Sequence, residues 1–96
     1  MNTLSDIRNS LSARKEQLFQ KYPIKSLAIF GSYARNEQSE NSDLDILVEF
    51  HDKIGIEFID LAEDLEKAVS LKVDLVSRKG VRDKYYAEIA KDLIIV

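Results

Sequence analysis

Two short apolar runs, Leu27–Phe30 and Ile46–Val48, each carry polar chemistry at one end. The first run stops at Gly31-Ser32, and the second is opened by Asp43-Leu44-Asp45. Glycine adopts backbone angles that other residues avoid and has no side chain to obstruct a close approach. Along a strand, side chains alternate faces, so Asp43 and Asp45 fall on one face with Cα atoms about 6–7 Å apart. Two carboxylates at that reach suit a hard divalent cation. Backbone N–H groups at a turn, with a hydroxyl beside them, suit phosphate oxygens. The stretch from Ile29 to Val48 therefore predicts a sheet whose strand ends gather an acidic pair and a phosphate cradle.

The flanking sequence supplies the layers for such a sheet. Leu4, Ile7, Leu11, Leu18 and Tyr22 fall on one helical stripe, which predicts a helix over 4–22. Thr3 or Ser5 can cap its start, and Pro23 stops it. Strands are predicted at 26–30 and 44–50, joined through a short helical turn and the wholly polar loop 36–42. Phe58, Leu61, Ala62, Leu65, Ala68 and Val69 predict a second long helix over 54–71. A third strand is expected at 72–77, with Val73 and Leu75 on one face and Asp74 and Val76 on the other. A last helix over 81–91 and a short edge strand at 93–96 complete the order. This is an α/β (α+β) pattern, a small mixed β-sheet with helices packed on it. The helix before the third strand allows that strand to lie beside the second, which would bring Asp74 to Asp43 and Asp45.

At 96 residues, with 45% hydrophobic and 32% charged residues, the sequence fits a single domain over 1–96 with one core. The absence of cysteine excludes disulfides and thiolate zinc sites. No apolar run approaches the roughly 20 residues of a membrane span. Met1 to Ser10 has no basic-then-apolar signal pattern, so a cytoplasmic location and no membrane partner are expected. The net charge is −3 and no basic stripe is visible, which argues against an extended nucleic-acid surface. It favours small, metal-neutralised substrates or a protein partner.

Three ionised carboxylates in one place repel. At 5 Å and an effective dielectric near 20, each pair costs about 3 kcal/mol. A divalent cation relieves that cost, and an oxygen-only donor set favours Mg²⁺ or Mn²⁺. Two such ions can serve both the attacking and the leaving oxygen of an in-line displacement. Acidic strand ends and a Gly-Ser turn together describe phosphoryl or nucleotidyl transfer.

Gly31-Ser32, ten intervening residues and Asp43-Leu44-Asp45 resemble the signature of the polymerase-beta-like nucleotidyltransferase superfamily. Gly-Ser-Tyr-Ala-Arg followed by Ser-Asp-Leu-Asp-Ile-Leu-Val resembles its minimal nucleotidyltransferase branch, across essentially the whole chain. The resemblance implies the polymerase-beta-like fold and a set of roles. Asp43 and Asp45 would bind two Mg²⁺ ions. Asp74 would bind the catalytic ion and help deprotonate an acceptor hydroxyl. Gly31 and Ser32 would hold the β- and γ-phosphates of ATP, with Arg35 adding charge there. It further implies a helical HEPN-class toxin ribonuclease as partner, AMP transfer to a tyrosine of that partner, a hetero-oligomer of the two, and the role of antitoxin. Asn36 departs from the glycine common after the arginine in that branch, but asparagine also tolerates left-handed backbone angles.

Other readings stay open. The protein could neutralise its partner by binding without catalysis, or serve as a nucleotide-binding regulatory domain. Arg35 is as well placed for an ion pair as for phosphate. Ser42 reads as a turn former, His51 as a solvated residue, and Glu57 to Glu66 as a solvated helix face. Of Tyr85 and Tyr86, one is expected in the core and one at the surface. Arg78, Lys79, Arg82 and Lys84 read as an ordinary loop and helix start, with contact to phosphates or to an acidic partner as the other reading.

Overall fold

A computed structural model describes residues 3–96; Met1 and Asn2, which open the stretch read for a signal pattern, lie outside it. The elements run α1 (Leu4–Lys21), β1 (Ile24–Phe30), α2 (Gly31–Ala34), β2 (Leu44–Phe50), α3 (Glu57–Val69), β3 (Val73–Ser77), α4 (Asp83–Ala90) and β4 (Ile94–Ile95). A single 3-10 turn, Arg78–Gly80, joins β3 to α4.

The first helix starts where its cap chemistry dictates. The Thr3 hydroxyl accepts from the Asp6 N–H at 3.1 Å, and the Asp6 carboxylate accepts from the Thr3 N–H at 3.2 Å. This reciprocal pair satisfies two donors that a bare helix end leaves open. Pro23 ends the helix, and Ile24 already belongs to β1, two residues earlier than the apolar run predicts. A register irregularity between Ile24 and Ser26 absorbs the extra length.

The four strands lie in the order β3-β2-β1-β4. The β1–β2 and β1–β4 pairs are antiparallel, and β2–β3 is parallel through the α3 crossover. The sheet is thus mixed, with the 93–96 tail forming the expected edge strand. Leu27 and Ile29 of β1, Leu44, Ile46 and Val48 of β2, and Val73 of β3 point to one side. There they meet Ile7, Leu11 and Leu18 of α1 and Leu61, Leu65 and Val69 of α3. Period-two alternation sends Asp45 and Asp74 to the opposite face, where Ala28 and Leu47 are buried as well and the end that carries Asp74 is open.

The two later helices also differ from the sequence reading in their bounds. Helix α3 begins at Glu57, not 54, because the Gly55 N–H bonds the Glu57 carboxylate at 2.9 Å in a turn ahead of the helix. It ends at Ser70, whose left-handed φ of 55° closes the last turn. Helix α4 begins at Asp83, not 81, because Arg78–Gly80 forms its own turn first. Neither tyrosine of α4 is a core residue: Tyr85 is exposed, and Tyr86 is half-buried beneath the Arg78 guanidinium, 3.7 Å from its ring centre.

The acidic face of α3 is not uniformly solvated either. Asp64 accepts from the buried Tyr22 hydroxyl at 2.6 Å and from Lys21 Nζ at 2.9 Å, locking α1 to α3. Glu66 accepts from the Val73 N–H at 2.9 Å. Both carboxylates sit on the rim of α3 that faces its neighbours. Among the described residues no helix is long and apolar enough to cross a membrane.

Candidate active site

The site begins where β1 ends. Phe30 pairs with Asp45 across the antiparallel ladder, so the next residue of the chain, Gly31, turns directly over the Asp45 side chain. Gly31 has φ +75°, in the region that side chains disfavour. A Cβ there would also collide with Asp45 Oδ2 and come within 3.0 Å of Asp45 Cγ. The backbone angle therefore requires the glycine, and any side chain there would also have to push the Asp45 carboxylate aside. Asp45 packs into the space that a side chain at Gly31 would take.

Ser32 begins the short turn of α2, whose peptides fold back through Arg35 N–H to Gly31 O at 3.1 Å and Glu37 N–H to Ser32 O at 2.8 Å. Asn36 adopts φ +57°, so the asparagine accepts the left-handed angle expected of it. Arg35 takes the ion-pair role: Nε lies 2.7 Å from Glu37 Oε1 and Nη1 lies 3.2 Å from Asp92 Oδ2. The Asp92 pair ties the turn to the chain just before β4, and the guanidinium still exerts a favourable charge on Asp45. Ser42 forms a turn, accepting from the Ser39 N–H at 2.9 Å.

Asp45 and Asp74 are direct neighbours in the parallel β2–β3 ladder. Asp43 precedes β2 by one residue and is exposed, as is Asp74, whereas Asp45 is half-buried. Burial first, then the charges of Asp74 and Asp43, then the Asp74 carboxyl within hydrogen-bonding reach, push Asp45 up from 3.8 to about 6; Arg35 pulls the other way. Like charge is thus assembled around a half-buried carboxyl. Among the described residues no three acidic or histidine side chains are yet closed into a group that could enclose an ion. The donor set nevertheless fits a hard cation by chemistry, since it is all oxygen and carries repulsion that a cation would relieve. His51 is exposed and in a turn after β2, at the far end of the strand from Asp43.

Known proteins resemble the chain over its whole length. The model of the nucleotidyltransferase domain family matches residues 11–96. "Putative protein adenylyltransferase MJ1379" of Methanocaldococcus jannaschii is 47% identical over 100 residues, spanning 100% of both chains. Protein adenylyltransferase MntA of Thermococcus cleftensis is 35% identical over 97 residues, spanning 100% of this chain and 98% of its own. A toxin–antitoxin crystal structure with AMP-PNP superposes with TM-score 0.71 at 26% identity, over 86% of this chain and 69% of that one. The family model and these relatives together show that the chain belongs to the nucleotidyltransferase domain family.

Proposed function

We propose that the protein transfers AMP from ATP to a hydroxyl, a tyrosine hydroxyl in our reading, on a HEPN-class toxin ribonuclease, and so acts as the antitoxin of a two-protein pair. The observation that carries this reading is the ladder register that sets Asp45 beside Asp74 and beneath Gly31. The names of the full-length relatives, protein adenylyltransferases, support the acceptor being a protein. The AMP-PNP and toxin–antitoxin context of a structural neighbour supports ATP and a toxin partner.

The residues divide the work. Ser32 and the N–H groups of the Gly31 turn hold the β- and γ-phosphates, and Arg35 adds positive charge on that side. Asp74, exposed at the edge of the open face, accepts the proton of the acceptor hydroxyl. The hydroxyl oxygen forms a bond to the α-phosphorus, the bond from that phosphorus to the bridging oxygen breaks, and pyrophosphate leaves. Mg²⁺ held by Asp43, Asp45 and Asp74 would neutralise the charge on the phosphates. The protein's own contribution is placement, since phosphoryl chemistry is governed by positioning and electrostatics.

Incubation with α-labelled ATP, Mg²⁺ and the co-expressed partner should put label on the partner. The Asp43→Asn, Asp45→Asn double variant should remain folded by circular dichroism and transfer at least 100-fold less, as expected when charged groups at the reacting centre are lost. Normal transfer by the double variant would overturn the site assignment. Protection of a host by a folded Asp74→Asn variant would favour neutralisation by binding alone.

A further inference from the structure

Asp45 and Asp74 are flanked on one side by β1 and the Gly31 turn and on the other by the outer edge of β3. On the β1 side, Gly31 packs on Asp45, and Arg35 of the same turn pairs with Asp92. On the other side lies β3, the outermost strand, which pairs with β2 alone.

The backbone of β3 is only half used. The Leu44 N–H donates to the Lys72 carbonyl at 2.9 Å. Backbone groups in a strand point alternately to either side, so residues 72, 74 and 76 turn theirs to β2, and Val73, Leu75 and Ser77 turn theirs outward. Glu66 occupies the outward N–H of Val73. No partner for the outward N–H groups of Leu75 and Ser77 is present among the described residues. Exposed edges are ordinarily blunted by proline, a bulge or a covering element. This one has no proline, its pairing with β2 is regular, and its one charge, Asp74, is a site residue.

We propose that the acceptor reaches the site as an extended segment of the partner protein, added as a further strand along the free edge of β3. The proposal rests on the reading that a protein is the acceptor, and it names how that protein is held. A residue opposite Asp74 in the added strand puts its side chain on the same face, with Cβ atoms about 4.5–5.5 Å apart. A tyrosine there carries its hydroxyl over Asp74 toward Asp45, from the side that the Gly31 turn leaves open. Main-chain bonds hold the segment whatever its sequence, and only alternate side chains are read.

The probe is a blocked peptide, Lys-Thr-Val-Tyr-Val-Thr-Lys, at millimolar concentration with ATP and Mg²⁺. Adding it should slow amide exchange at Leu75 and Ser77, and AMP should pass to its tyrosine. Peptides methylated at one backbone nitrogen at a time should lose acceptor activity at every second position and keep it at those between. Ser77 has φ −85°, close to the angle proline requires, so Ser77→Pro removes one outward N–H without touching the β2 ladder. That variant should raise the peptide KM about fivefold with kcat retained, the effect of one lost hydrogen bond. Unaltered Leu75 and Ser77 amides, or a methylation scan without the two-residue period, overturns strand addition. Slowed amides with no label on any acceptor leave strand addition standing and overturn protein adenylylation instead.

Discussion

Replacing Asp45 with asparagine should make the metal-free protein more stable, although it should destroy activity. The carboxyl is half-buried, with Asp74 beside it in the ladder and Asp43 close by, and its pKa rises from 3.8 to about 6. That rise of about 2 units corresponds to roughly 3 kcal/mol of bias against the charged form. Part of the group is in water, so screening reduces the figure to about 1–2 kcal/mol. The sign follows from linkage: the folded state holds the proton more tightly than the unfolded chain does, so ionisation costs stability. The cost is fully present above pH 6 and disappears as the pH falls from 6 towards 3.8.

Thermal unfolding in EDTA reads this directly. At pH 7.5 the Asp45→Asn variant should melt about 5–10 °C above the wild type, given the entropy of unfolding of a domain this size. At pH 4.5 the gap should narrow sharply, because the wild-type carboxyl is then largely protonated. Excess Mg²⁺ should raise the wild type more than the variant. A variant that melts below the wild type at pH 7.5, or a gap that does not change with pH, would refute the reasoning; Asp45 would then be bonded into the structure rather than strained by its neighbours.

Two further outcomes follow from the geometry. Gly31→Ala places a Cβ against Asp45 at a left-handed φ and should cost about 2–4 kcal/mol in chemical denaturation, with loss of AMP transfer in whatever fraction stays folded. Tyr22→Phe removes the hydroxyl that donates to Asp64 and should cost about 1–2 kcal/mol at pH 7 while leaving transfer unaltered. Asp64 is held below the usual carboxylate range, first by the Tyr22 hydroxyl and then by Lys21, so that contribution is lost as the pH falls through its depressed value, and the two proteins should converge in acid.

The sheet and its two covering helices were legible because their apolar positions repeat with the right periods. Ile7, Leu11 and Leu18 share a helical stripe, and Leu44, Ile46 and Val48 alternate, so each element announces which face it buries. What was not legible depends on neighbours distant in sequence. Asp64 and Glu66 look like two more charges on an acidic helix, yet one is bonded from α1 and the other from β3. A signal for the first did exist: Tyr22 lies on the buried stripe of α1, and a buried phenol needs a partner for its hydroxyl. Tyr85 and Tyr86 were misjudged for a related reason. Spacing puts one of them on an inner face, but α4 is short and peripheral, and Arg78 covers Tyr86 instead of core side chains.

The same alternation that buries the sheet also determines the site. Val73 and Leu75 pack towards the helices, and this fixes Asp74 on the open face; Leu44 and Ile46 do the same for Asp45. A slip of one residue between β2 and β3 would turn Asp74 into the core and bring Val73 or Leu75 to the open face. Burying a carboxylate there is far costlier than burying valine, so the register is held by the core rather than by the carboxylates, which repel. Stability and chemistry are therefore specified by alternate residues of the same strands. The apolar set supplies the energy that holds Asp45 and Asp74 side by side against their own repulsion, and that stored repulsion is what a cation can release on binding.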